Sequence, residues 1–204
     1  MSESPRILYE KRMGFGKTVV EDEPQAVEKW KQEIQKIIDC LVSKNYELMA
    51  GILGKDEKKM QSIIEFMETM KMNEEDIKYF AVSLWVGNQS NWRGYLPIIG
   101  KIFFGSRQGV SALARDNKGA ISCYESSILA KRMADEFDIA GEIVARDKGV
   151  WSHKYFKSST GRVIDNFWGW DRYGYFKDQE DYETNMKADY SHRCFRSNPK
   201  NKVS

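Results

Sequence analysis

From Pro24 onward, apolar positions recur at helical spacing. Val27, Trp30, Ile34, Ile37, Ile38 and Leu41 share one face, so the spacing predicts an amphipathic helix over 24–43, ending near Lys44-Asn45. Asp22 and Glu23 ahead of Pro24 mark its start, because proline suits the first helical position. An apolar piece, YELMAGILG at 46–54, follows. A further helix is expected over 56–71, with Met60, Ile63, Ile64, Met67 and Met70 as its stripe. Asn73 and the acids at 74–76 open a fourth helix by capping and by complementing the helix dipole. Its inward face is Ile77, Phe80, Ala81, Leu84 and Trp85, and Gly87 closes it. Residues 1–86 therefore read as a helical region, behind a polar, Gly-containing stretch (1–22) expected to be a loosely packed arm.

After Gly87 the texture changes. NQSNWRGYLP (88–97) reads as a polar, aromatic loop, and the mixed apolar and basic stretch 98–115 as a helix packed beneath a site. A fifth helix is expected over 123–137, with Ile128, Leu129, Met133 and Phe137 inward. The period then falls to two over GEIVAR (141–146), WSHKYFK (151–157) and RVIDNFW (162–168). Lys148-Gly149 and Ser158–Gly161 supply the turns between these strands. A helix followed by an antiparallel meander is an α+β layout. From Asp171 aromatics and charges alternate without a period, and 196–204 is expected to be disordered. The organisation is thus a helical N-terminal half (1–86), a core at 87–195 and a tail.

Composition narrows the function classes. The 32 basic and 30 acidic side chains nearly cancel, so charge makes no case for nucleic acid or an anionic membrane. Acids at 178, 180, 181, 183 and 189 break any basic track through the C-terminal segment. The longest apolar run, 95–105, is interrupted by Pro97, Gly100 and Lys101, far short of the ~20 residues a spanning helix needs. The N-terminus has no apolar h-region, so a cytoplasmic location is expected. Three cysteines (Cys40, Cys123, Cys194) without paired spacing argue against a disulfide framework. His192 and Cys194 stand two apart with no further ligand cluster, so no metal and no cofactor are expected. Gly16-Lys17-Thr18 lacks the strand and glycine context of a phosphate loop.

One constellation carries chemistry. In GAISCYESSILAKRM (119–133), Cys123 follows turn and capping residue types and opens the fifth helix. Free backbone N–H groups and the positive dipole end favour a thiolate there. The chain holds two histidines, His153 and His192. His153 lies in an expected strand and Asp165 in the next, a pairing that brings imidazole and carboxylate together across a hairpin. A carboxylate so placed holds the imidazole in the tautomer that accepts a thiol proton. Asn166 and Asp171 are rival orienters, Asn166 less favoured because it should point to the opposite strand face. The Cys123 backbone N–H is a natural oxyanion donor.

Helix-start Cys, helix, a strand entry at DIAGEIV (138–144), His in SHKYF (152–156) and Asp in VIDNFW (163–168) together resemble the transglutaminase-like family, a branch of the papain-like cysteine enzymes. The likeness covers about residues 119–168, with Ser127 and Leu129 at the family's small and apolar helix positions. Asp138 stands where the family has Gly, and Glu142 where it has Arg. The resemblance implies a papain/transglutaminase-like core, a helix packed on a small antiparallel sheet. It implies a Cys123–His153–Asp165 triad and a second, upstream oxyanion donor, for which Gln89 and Trp92 are the candidates. The expected activity is hydrolysis of a peptide or isopeptide amide through an acyl-enzyme on Cys123. The expected substrate is a protein or peptide, with a cell-wall peptide one candidate if the aromatic C-terminal segment lines a groove. A cross-linking acyltransferase and an inactive binding module are the alternatives.

Overall fold

The computed structural model describes residues 6–13, 16–89, 106–114, 123–146, 153–166 and 173–193. Within these the chain is mixed α+β. Strands β1 (Ile7–Met13) and β2 (Gly16–Glu21) precede helices α1 (Pro24–Ser43), α2 (Tyr46–Leu53), α3 (Glu57–Thr69) and α4 (Glu74–Gln89). Strand β3 (Ser106–Gly109) and a 3-10 turn (Val110–Leu113) come next, then helix α5 (Cys123–Glu136). Strands β4 (Gly141–Ala145), β5 (Lys154–Ser158), β6 (Val163–Ile164) and β7 (Tyr175–Phe176) lead to helix α6 (Gln179–Arg193).

The expected N-terminal arm is instead a hairpin: β1 and β2 pair antiparallel, and β3 joins β2 in parallel. The first half is therefore not all-helical. The helix expected over 98–115 is also corrected. Its first part lies outside the described residues, and 106–113 is the strand and 3-10 turn. Ser106–Gly109 has no apolar period of its own, and its strand exists because β2, remote in sequence, offers an edge. The apolar piece after α1 is a helix, capped by Asn45, whose side chain accepts from Leu48 N at 3.0 Å.

α1 starts at Pro24 as expected, but Glu23 does not cap it. The Glu23 carboxylate instead accepts from Ser111 N at 2.6 Å, tying the 3-10 turn to the foot of α1. Ile34, Ile37 and Leu41 are fully buried, each stabilising by about 1.5–3 kcal/mol relative to exposure. Trp30 packs on Trp85 of α4 with ring centroids 5.2 Å apart. Asn73 and Asp76 cap α4 reciprocally: Asp76 N donates to Asn73 Oδ1 at 2.9 Å, and Asn73 N to Asp76 Oδ2 at 3.2 Å.

β4–β7 form an antiparallel meander in strand order 4-5-6-7. Its two faces separate cleanly by the period of two. Ile143, Phe156, Ile164 and Tyr175 join the main core with α1–α5, whereas Val144, Tyr155, Val163 and Phe176 join Tyr182 and Met186 of α6. The C-terminal segment, which carries no legible period, therefore forms both an edge strand and the helix that covers the outer face of the sheet. Arg132 fixes α5 against the first sheet. Its Nε donates to Asp22 Oδ1 at 3.0 Å and its Nη1 to Glu136 Oε1 at 2.5 Å, with Asp22 and Arg132 buried.

Candidate active site

Cys123 is the first residue of α5 and is half-buried. As the first helical residue, its backbone N–H has no acceptor within the helix ladder. α5 packs its apolar side on β4 and β5, with Leu129, Met133 and Ala134 fully buried. Ser127 is buried one turn on, its hydroxyl donating to Tyr124 O at 2.8 Å. Tyr124 meets Tyr9 of β1 edge-on, ring centroids 4.4 Å apart, which seats the start of the helix against the hairpin.

His153 immediately precedes β5 and Asp165 immediately follows β6. Their meeting is a matter of register. Phe156 pairs with Ile164 and Lys157 with Val163, so one step further sets Tyr155 opposite Asp165. His153, two residues before Tyr155, shares that face and approaches Asp165 along the diagonal. The backbone pins both: Arg146 N donates to His153 O at 3.0 Å, and Asp165 N to Gly174 O at 2.8 Å. Tyr173 and Gly174 turn the chain into β7 with φ of 53° and 75°. Both lie in the left-handed region that glycine enters without cost.

The side chains complete the cluster. His153 Nε2 and Asp165 Oδ2 are 2.6 Å apart, with Asp165 buried. Burial pulls the His153 pKa down, but hydrogen bonding and charge from Asp165 and from Cys123 outweigh it and push the pKa up to about 9. Cys123 of α5 therefore lies close enough to act on the imidazole that Asp165 holds, which gathers the three side chains into one cluster. The imidazole is mostly buried, its side chain 11% exposed, so the ion pair forms away from bulk water.

A fourth residue belongs to this cluster. Tyr182 of α6 is fully buried, and its hydroxyl donates to Asp165 Oδ2 at 2.9 Å. Burial and the charge of Asp165 push its pKa far up, so it stays a protonated donor. Sequence reasoning missed it, although a signal exists. Asp178 caps α6, accepting from Asp181 N at 2.8 Å, and Tyr182 and Met186 then fall four apart on one face.

Of the other expected site residues, Gln89 is half-buried at the end of α4, which packs against α5. Trp92 and Asp171 lie outside the described residues. Asn166 turns to α4, its amide donating to Ser83 O at 2.7 Å, and so faces away from Asp165. His192 lies in α6, its side chain outside the described residues, as is Cys194. Among the described residues no three metal-ligating side chains gather, and no helix is long and apolar enough to cross a membrane. Cys40 is buried in α1, and burial together with Asp39 pushes its thiol pKa up. Comparison of the chain with protein-family models, with curated proteins and with solved structures finds no match in any of the three.

Proposed function

We propose that this protein is a cysteine hydrolase that cleaves an amide, peptide or isopeptide, through an acyl-enzyme on Cys123. The observation that carries the reading is the His153–Asp165 pair at 2.6 Å with Cys123 near enough to act on the same imidazole, a nucleophile, base and orienter drawn from three elements. With Nε2 held by Asp165, Nδ1 is the ring nitrogen that takes the thiol proton. Cys123 Sγ attacks the carbonyl carbon, and the carbonyl π electrons move onto oxygen. The Cys123 N–H receives that oxyanion, with Gln89 or Trp92 as second donor. His153 then protonates the amine nitrogen, the C–N bond breaks, and a thioester remains. Water attacks the thioester as His153 takes its proton, the C–S bond breaks, and the thiol is restored. An amine in place of water gives acyl transfer from the same intermediate.

The transglutaminase-like arrangement is the fold reading that best fits this order of helix, strand and strand. A detail supports it. Asp138, where that family has glycine, adopts φ 57°, the left-handed conformation that glycine supplies at a helix C-terminus. The substrate class we propose is a protein or peptide, a cell-wall peptide among them.

The test is selective alkylation in a Cys194→Ser background, followed by mass spectrometry. Iodoacetamide at neutral pH should modify Cys123 well before Cys40, and a peptide library should be cleaved by the parent but not by Cys123→Ala. Equal, slow labelling of the two cysteines, or cleavage that survives Cys123→Ala, overturns the proposal.

A further inference from the structure

Asp165 Oδ2 accepts from two directions. His153 Nε2 meets it at 2.6 Å and the Tyr182 hydroxyl at 2.9 Å. The Tyr182 ring has little freedom to turn away. It packs on Tyr155 with centroids 4.5 Å apart and meets Phe176 edge-on at 5.1 Å. Tyr155 is itself held, its hydroxyl accepting from Gln179 Nε2 at 3.3 Å. Packing of α6 on the sheet uses the Tyr182 ring, and the hydroxyl adds a separate buried contact to the carboxylate that holds His153. A buried hydroxyl aimed at one carboxylate oxygen is a more specific arrangement, since that oxygen then divides its charge between two donors.

We propose that Tyr182 is a positioning residue for the Cys123–His153–Asp165 site. Its hydroxyl fixes Asp165 Oδ2 and takes up part of that oxygen's charge, so α6 sets how strongly Asp165 holds the His153 proton. The proposal rests on the reading of the site given above. Among the described residues, Cys123 from α5 acts on His153, and Arg146 from the end of β4, Tyr155 from β5 and Glu183 from α6 act on the tyrosine hydroxyls beside Asp165. Arg146 and Glu183 act on the Tyr155 hydroxyl with opposite sign, and Arg146 also acts on Tyr182.

The test follows the His153 imidazole by NMR through a pH titration of the full chain carrying His192→Gln, which leaves one histidine. Tyr182→Phe removes the competing donor while keeping the ring. The His153 midpoint should then rise by about half a unit to one unit. Tyr155→Phe, which deletes a hydroxyl from the same aromatic cluster, should leave it in place. Tyr182 replaced by 3-fluorotyrosine, nearly isosteric and a stronger donor, should lower the midpoint, and it decides the matter if Tyr182→Phe fails to fold. An unmoved or lowered midpoint in Tyr182→Phe, or an unmoved one in the fluorinated protein, overturns the role of Tyr182. Asp165→Asn separates the two levels of the argument. If it lowers the midpoint while Tyr182→Phe does not raise it, only the tyrosine proposal fails. If Asp165→Asn leaves the midpoint high, the reading of the site fails with it.

Discussion

Two buried aspartates hold the β-meander to its neighbours, and they are built almost alike. Asp76, at the start of α4, accepts from Arg162 Nε at 2.5 Å and from the Tyr175 hydroxyl at 3.0 Å. Asp165, after β6, meets His153 Nε2 at 2.6 Å and accepts from the Tyr182 hydroxyl at 2.9 Å. Both are buried, at 6% and 3% exposure. The difference is the cation. A guanidinium keeps its proton at every pH the fold survives, whereas an imidazole gives its proton up within reach of neutrality. The cluster around Asp76 is therefore a fixed strut between α4 and the sheet. The cluster around Asp165 has the same scaffold, but its cation is titratable, which is what the proposed hydrolase requires beside Cys123. A buried carboxylate with a tyrosine and a cation is thus no sign of chemistry by itself; the identity of the cation, and what lies on its far side, decides.

The comparison breaks most visibly on stability. Asp76→Ala leaves Arg162 largely buried without its main partner, and should destabilise the protein by about 3–5 kcal/mol in denaturant melts. The alkylation rate of Cys123 in the folded fraction should not change. If that rate collapses too, the strut and the site are one unit and the contrast is lost.

Next in size are the opposite pH responses of the two clusters. Burial works against the Asp76 carboxylate, but Arg162, the Asn73 backbone and Tyr175 outweigh it and hold its pKa below the usual range. Its contribution is present above the ordinary aspartate pKa and is lost as pH falls through the lowered value. His153 runs the other way. Its contribution is complete below the ordinary imidazole value of 6.5 and is lost as pH rises through about 9. Stability should therefore fall on the alkaline side by about 3 kcal/mol, and Asp165→Asn should flatten that fall while sparing the acid limb. An alkaline limb that persists in Asp165→Asn contradicts the assignment.

A smaller effect separates the clusters by reactivity. Asp165→Asn should slow alkylation of Cys123 by about tenfold near neutral pH, since the imidazole then loses its ionic support. Arg162→Lys should leave the rate alone while costing stability, because lysine cannot reproduce the guanidinium fork. Smallest is Asp138→Gly. It relieves a left-handed aspartate at the end of α5 and should stabilise by about 1 kcal/mol or less, with labelling unchanged.

How much of this the sequence revealed depends on whether local pattern or distant pairing decides each element. α1, α3, α4 and α5 are legible because their apolar stripes, caps and breakers sit within single segments. The neighbourhood of Cys123, His153 and Asp165 is legible in part, since a helix start and two strands joined by a short turn bring them towards one another by local rules. β1, β2 and β3 are not, since Ser106–Gly109 is a strand only because β2 lies beside it. Tyr182 sits in a helix with a short capping signal and a stripe of two, and only the outer face of the meander shows what that stripe covers. The diagonal approach of His153 to Asp165 depends on register, which a strand pattern alone leaves open by a step.

The central claim is that Cys123 and Asp165 together hold the proton on His153. The most direct test is the imidazole titration by NMR in the His192→Gln protein, with and without Cys123→Ala. The account predicts a midpoint near 9 in the parent, falling by about one unit or more when the thiol is removed. A parent midpoint near 6.5 that Cys123→Ala leaves unmoved would contradict it.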